Sequence, residues 1–287
     1  MGDKSSAFER AVAALLEYLT EQRYSFVTVT PATHARVIAR FRNKPAETLR
    51  EAFGWNAPFA ADLLPTDLMS GLRQAEVITP SGAMWCSNVR VSSLGGHLFV
   101  HSSYPTSEAD AVFFGPDTYR FTSAVLRRIQ SVEGITRVAD VGCGTGAAGI
   151  LIGRNRLEAE IFLGDINPRA LEYAAINAAA ARVDNVSICQ SNILAQLPGA
   201  FDLIVANPPY LVDPSQRSYR HGGRAMGTEL GLRILQASLE RLAPNGTGLI
   251  YTGAPFIVQT GVISPGSQKS RSHTLPSGHH LQIRFFP

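Results

Sequence analysis

The chain has 287 residues, 45% hydrophobic and 17% charged, a balance that supplies a core and excludes a mainly disordered protein. Basic residues number 26 against 23 acidic, and the formal charge of +3 is too small by itself to demonstrate a nucleic-acid partner. No apolar run approaches the roughly 18 residues of a membrane span, no secretory leader is expected, and the 3 cysteines form no CxxC pair. The expectation is a cytoplasmic protein without a membrane segment, a disulfide framework or a metal site, and its length predicts two domains.

Ser6 and Glu9 stand at capping-box spacing, and Phe8, Val12, Leu15, Leu16 and Leu19 recur at helical intervals, which predicts an amphipathic helix starting near Ser6. Thr30-Pro31 reads as the cap and first turn of a second helix through Phe41, and Pro45 to Phe53, closed by Gly54, as a third. Asn88 to Leu94 and His97 to Ser103, parted by Gly95-Gly96, read as a β-hairpin, so residues 1–108 are expected to form a small α+β N-terminal domain. Strand-like Arg137 to Val141 then leads through a glycine turn into a helix, followed by a strand over Glu160 to Gly164 and a helix over Pro168 to Ala181. Further strands are expected at Val186 to Cys189, Phe201 to Ala206 and Gly246 to Tyr251, with a helix from Gly227 to Leu242 before the last. Strands alternating with helices imply parallel βαβ units, so 109–258 is expected to be an α/β domain. Residues 259–287, rich in Ser, Gly, Pro, His and Gln and lacking Asp and Glu, are expected to be irregular, with only Leu281 to Phe286 suited to a strand.

Asp140, Gly142, Gly144 and Gly146 end a strand and open a helix, where backbone approaches a ligand without side-chain obstruction. Read as G-x-G-x-x-A with Asp165 about 20 residues on, the segment also fits a dinucleotide fingerprint, and an NAD(P)-dependent oxidoreductase is the alternative function. Two details favour another ligand: the glycines run G-x-G-x-G, and the Asp140 carboxylate suits a cationic amine while it opposes a pyrophosphate. The plainer alternative is that Asp140 caps a helix and the glycines only make a tight turn.

The strand Phe201 to Ala206 runs straight into Asn207-Pro208-Pro209-Tyr210. In open α/β sheets ligands lie beyond the carboxyl ends of the strands, so this tetrapeptide should face the same crevice as Gly142 and Asp165. An amide or exocyclic amine is a poor nucleophile because its lone pair is delocalised. The Asn207 side-chain carbonyl and the Pro208 backbone carbonyl could each accept one N–H of such a group, while two prolines fix the backbone and Tyr210 offers a flat face.

These residues resemble motifs I and IV of the class I S-adenosylmethionine-dependent methyltransferases, over about Ala111 to Pro255, and are most similar to the small-domain and release-factor glutamine methyltransferases. The resemblance implies a Rossmann-like class I methyltransferase sheet and S-adenosyl-L-methionine as cofactor. It implies that Asp140, Gly142, Gly144 and Gly146 pack against the amino-acid part and sugar of the cofactor, and that Asp165 binds the ribose hydroxyls. Val112 to Phe121, with Thr118, looks like the segment these enzymes carry over the cofactor site. Asn192 stands where they often have an acid that reads the adenine amine, and its side-chain carbonyl could still accept from that amine. The implied activity is methylation of a planar NH₂ on a macromolecule, RNA, DNA or a protein glutamine, with Asn207, Pro208, Pro209 and Tyr210 as the catalytic set.

Two departures qualify the resemblance: the N-terminal hairpin is foreign to the release-factor branch, and no helix is expected after Phe256. A catalytically impaired cofactor-binding module is therefore a further alternative. Arg217, Tyr219, Arg220, His221 and Arg224 crowd the loop beside the substrate mouth, where phosphate or carboxylate contacts would suit nucleic-acid binding.

Overall fold

A helix that is apolar on one side must find a second surface, and in this chain the first helix finds it across the whole molecule. The computed structural model describes residues 2–41, 44–106, 108–210, 223, 228–253, 270–274 and 280–286. Helix α1 (Gly2–Glu21) begins ahead of Ser6, so the Ser6–Glu9 spacing falls inside it and does not mark its start. Helix α2 (Pro31–Ile38) is capped by Thr30 as expected, and its last predicted turn, Ala39–Phe41, tightens to 3₁₀ geometry. Helix α3 (Leu49–Phe53) starts later than Pro45, because Ala46 is held extended by bridging Phe59 and the true capping box is Thr48 with Glu51. Sequence reading missed helix α4 (Thr66–Gln74) and the short pair β1 (Ile78–Ser81) and β2 (Met84–Ser87). The predicted hairpin is present as β3 (Val89–Leu94) and β4 (His97–Ser102).

Helix α5 (Pro116–Gln130) leads into β5 (Arg137–Val141), α6 (Ala147–Asn155), β6 (Glu160–Asp165), α7 (Pro168–Ala180), β7 (Val186–Gln190) and β8 (Phe201–Ala206). Helix α8 (Glu229–Arg241), β9 (Leu242–Gly253), β10 (Ser270–Thr274) and β11 (His280–Phe286) follow. The sheet order is β10-β11-β9-β8-β5-β6-β7. Strands β5 to β9 pair in parallel, which is the expected Rossmann-like α/β arrangement. Beyond them β11 takes up the Leu281 to Phe286 stretch, parallel to β9, and β10 pairs antiparallel with it, a strand that its Ser-rich composition did not announce. Strand alternation divides the core: Val138, Leu163, Leu203 and Leu249 pack with α5, α6 and α7, while Ala139, Phe162, Ile204 and Ile250 pack with α8.

The N-terminal unit is not a loose attachment. Val12, Leu15, Leu16 and Leu19 of α1 share one apolar cluster with Phe53, Phe59 and Leu72, and with Ala170, Tyr173 and Ile176 of α7. A single amide fastens the joint. Fully buried Asn177 accepts from Val100 N at 2.8 Å and donates to Val100 O at 3.1 Å and to Thr145 O at 3.0 Å, tying the hairpin and the glycine turn to α7. Asn177→Leu keeps the volume but leaves one N–H and two carbonyls buried without partners, each costing about 1–3 kcal/mol. Thermal unfolding should show a loss of roughly 3 kcal/mol or more. A variant as stable as the parent would mean that water or a local shift replaces those bonds.

Candidate active site

The glycine spacing has a conformational cause. Gly142, Gly144 and Gly146 take φ of +67°, +54° and +74°, the left-handed region that a Cβ disfavours. Gly142 and Cys143 donate their N–H groups to Gly164 O at 2.8 and 3.0 Å, which folds the turn over the end of β6. A Cβ on Gly142 would meet no heavy atom within 4 Å, so bare backbone borders open space there. Gly146 differs: a Cβ there would press on Ile150, Ala174 and Leu163, so its place in the motif serves close packing of the turn.

Asp165 ends β6 and is held from both sides, its Oδ2 accepting from Gly144 N and its Oδ1 from Asn167 N, each at 2.9 Å. Burial pushes its pKa up, opposed by the N–H groups of Asn167, Gly144 and Ile166. Asp140, the penultimate residue of β5 at 2% exposure, accepts from Gly149 N at 2.9 Å, so it does cap α6, and it also lines the cavity. Gly149 was not singled out from sequence; a Cβ on it would sit 2.2 Å from Leu163 Cδ2, so only glycine lets α6 approach close enough for that bond.

Burial raises the Asp140 pKa to about 7; the Gly149 N–H opposes the rise and the nearby Asp165 charge adds to it. The folded-state pKa lies above the unfolded one, so the unfolded chain releases this proton first as pH rises. Asp140 therefore costs stability progressively from about pH 4 to about pH 7, up to about 4 kcal/mol, and the cost is constant above that. Asp140→Asn keeps the acceptor for Gly149 and should gain stability relative to the parent across that window. Unfolding midpoints at pH 4.5 and about 7.5 check this; parallel pH profiles for the two proteins would refute it.

The Asn207 to Tyr210 tetrapeptide arrives by register. Val141 of β5 pairs with Gly164 of β6 on one side and with Ala206 of β8 on the other. Asp165 and Asn207 directly follow those two partners in the chain, so they flank the glycine turn two strand spacings apart, about 10 Å. The Tyr210 hydroxyl donates to Asp117 Oδ2 at 2.6 Å, and burial together with that carboxylate raises the phenol pKa. This anchors the tetrapeptide to the first turn of α5, a tether that the sequence did not reveal. Thr118, one residue on, accepts from Gly115 N at 3.2 Å. Asn192 donates its backbone N–H to Gln196 Oε1 at 2.8 Å.

One cavity of about 610 Å³ brings these groups together: Asp140, Gly142, Gly144, Asp165 and Asn192 line it with Thr118 and with Asn207, Pro208, Pro209 and Tyr210. Gly146 is not among its lining residues. Sequence reading missed its further wall, which the N-terminal unit supplies through Thr28, Arg90, His101 and Tyr104. The basic loop of Arg217, Tyr219, Arg220, His221 and Arg224 lies outside the described residues.

Residues 108–254 match the methyltransferase small domain family. The chain belongs to that family. Its match to the release factor glutamine methyltransferase of Deinococcus radiodurans is 41% identical over 106 residues, 37% of either chain. The ribosomal protein uL3 glutamine methyltransferase of Xanthomonas campestris is 35% identical over 130 residues, 42% of either chain. The ribosomal RNA small subunit methyltransferase C of Shewanella amazonensis is 27% identical over 179 residues, 62% of this chain and 47% of that one. The chain thus spans about a third to a half of the length of the curated relatives it matches.

This is a family of S-adenosylmethionine-dependent methyltransferases, and the donor set suits that cofactor. Bare Gly142 backbone borders the cavity, and the Asp165 and Asp140 carboxylates line it beside the turn. Among the described residues no helix is long and apolar enough to cross a membrane.

Proposed function

We propose that the protein is an S-adenosylmethionine-dependent N-methyltransferase that acts on a planar NH₂ group of a macromolecule, an RNA or DNA base amine or a protein glutamine amide. The observation that carries this reading is the placement of Asp165 and Asn207 on either side of one glycine turn, in one cavity. When bound, the cofactor supplies an electrophilic methyl group carried on a sulfonium.

The side chains divide the work. Asp165, its carboxylate already oriented by two N–H groups, accepts from the ribose hydroxyls. Asp140 faces the cofactor ammonium, and Asn192 and Thr118 line the same region. Asn207 Oδ1 and the Pro208 carbonyl each accept one N–H of the acceptor, which aims the nitrogen at the methyl and stabilises positive charge as it grows there. No base is needed beforehand, because the nitrogen loses its proton only after it has become cationic. The prolines hold the carbonyls in place, and Tyr210, tied to Asp117, presents its ring to a planar acceptor. Alignment of this kind supplies much of the rate in bimolecular reactions, about 7–11 kcal/mol for well-oriented reactants.

The family match and the acidic rim of the turn support this reading over a dinucleotide oxidoreductase, since Asp140 would oppose a pyrophosphate. Relatives named for a release factor, a ribosomal protein and ribosomal RNA support a macromolecular acceptor. The free cysteines Cys86, Cys143 and Cys189 suit a reducing cytoplasm. The working division keeps an N-terminal unit over 1–108 and an α/β domain from 109, but β10 and β11 join the sheet of that domain, so 259–287 is not a separate irregular segment. Tritiated methyl transfer into fractionated RNA, DNA and protein tests the activity. Label in one fraction supports it and names the acceptor class; cofactor binding with no label in any fraction would favour the impaired binding module.

A further inference from the structure

The cavity has a charged group that the methyl-transfer reading leaves unused. Arg90 lies on β3, in register with His101 of β4, and both line the cavity. Its side chain is packed away at 4% exposure, with the Phe26 ring 5.3 Å from Cζ. Arg90 Nε donates to Gly54 O at 2.9 Å, whereas Nη2 is buried with no hydrogen-bond partner. Among the described residues no carboxylate forms an ion pair with it. Burial pushes the Arg90 pKa down, opposed by Tyr24, Tyr119 and Tyr104, and its charge adds to burial in keeping His34 and His101 neutral.

A guanidinium withdrawn from water without an anion is costly to fold around, and a donor left unpaired at a cavity wall is the usual mark of a missing acceptor in the bound state. The cavity is also polarised. Asp140 and Asp165 lie at the glycine turn, Asp117 is engaged by Tyr210 and Arg120, and the other arginine on the wall, Arg233, is exposed. Arg90 is therefore the buried cation of the described cavity wall.

We propose that Arg90 forms an oxyanion subsite at the N-terminal wall of this cavity, which takes a carboxylate or phosphate of the molecule bound there. Two sources carry that chemistry, the α-carboxylate of the cofactor and an anionic group of the acceptor, and the proposal leans on the methyl-transfer reading only for the first. Sequence could not show it, since Arg90 stands between Val89 and Val91 at an alternating polar position of a strand, and its surroundings come from Phe26, Gly54 and Tyr104.

The test is calorimetric titration of the full chain as parent, Arg90→Met and Arg90→Gln, the last keeping a donor for Gly54 O. Three probes are used: S-adenosylhomocysteine, 5′-methylthioadenosine, which lacks the carboxylate, and inorganic phosphate added with and without S-adenosylhomocysteine. If the cofactor carboxylate is the oxyanion, both variants bind S-adenosylhomocysteine at least tenfold more weakly and methylthioadenosine as the parent does. If the acceptor supplies it, both nucleosides bind normally and the variants lose the phosphate binding seen in the parent. Variants that match the parent with all three probes overturn the subsite, as do variants that lose both nucleosides together, which would make Arg90 a purely structural group. A parent that binds neither nucleoside would sink the methyl-transfer reading and leave phosphate to decide for or against Arg90.

Discussion

Asp165→Ala should bind S-adenosylhomocysteine at least a hundredfold more weakly than the parent. Two ribose hydroxyls donating to one carboxylate make charge-assisted bonds of about 1.5–3 kcal/mol each, and a factor of ten in affinity is about 1.4 kcal/mol. The same carboxylate also fixes Gly144 N and Asn167 N, so its removal frees the turn as well as deleting the acceptor. Calorimetry reads the change directly. Unaltered affinity would mean that the ribose lies elsewhere.

Asn207→Ala should do the opposite. It leaves the Asp165 side of the turn untouched, so cofactor affinity should stay within about twofold, while single-turnover methyl transfer falls about 10²–10³-fold, the range for removing one positioned polar group from a developing charge. The Tyr210–Asp117 bond should survive, because it anchors the tetrapeptide from its other end. The pair of variants is more informative than either alone. If both lost binding and turnover in equal measure, the division of labour across the turn would be wrong.

Local pattern carried a good part of the architecture into the sequence. The β3–β4 hairpin is legible because Gly95 and Gly96 both take positive φ between two β-rich runs, and the parallel sheet because apolar strands alternate with helices. The glycine turn and Asp165 are legible for the same reason: their conformational demands fall on residues that are neighbours in the chain or the adjoining strand. What escaped depends on partners far away. Asn177 reads as a mid-helix polar residue until Val100 arrives 77 positions earlier in the chain to satisfy it. Gly149 reads as a weak point of α6 until Leu163 closes on it. The start of α3 moved because Ala46 pairs with Phe59, and the N-terminal wall of the cavity exists only because α1 and β4 pack on α7. The Ser6–Glu9 spacing was a true pattern in the wrong place, since the helix already begins before it.

The most direct test of the account is a crystal structure of the protein with sinefungin, which carries an amine where the cofactor carries its methyl. Ribose hydroxyls are expected on Asp165, with that amine within hydrogen-bond reach, about 3 Å, of Asn207 Oδ1 or the Pro208 carbonyl. An amine directed away from Asn207, or a ribose placed off Asp165, would contradict it.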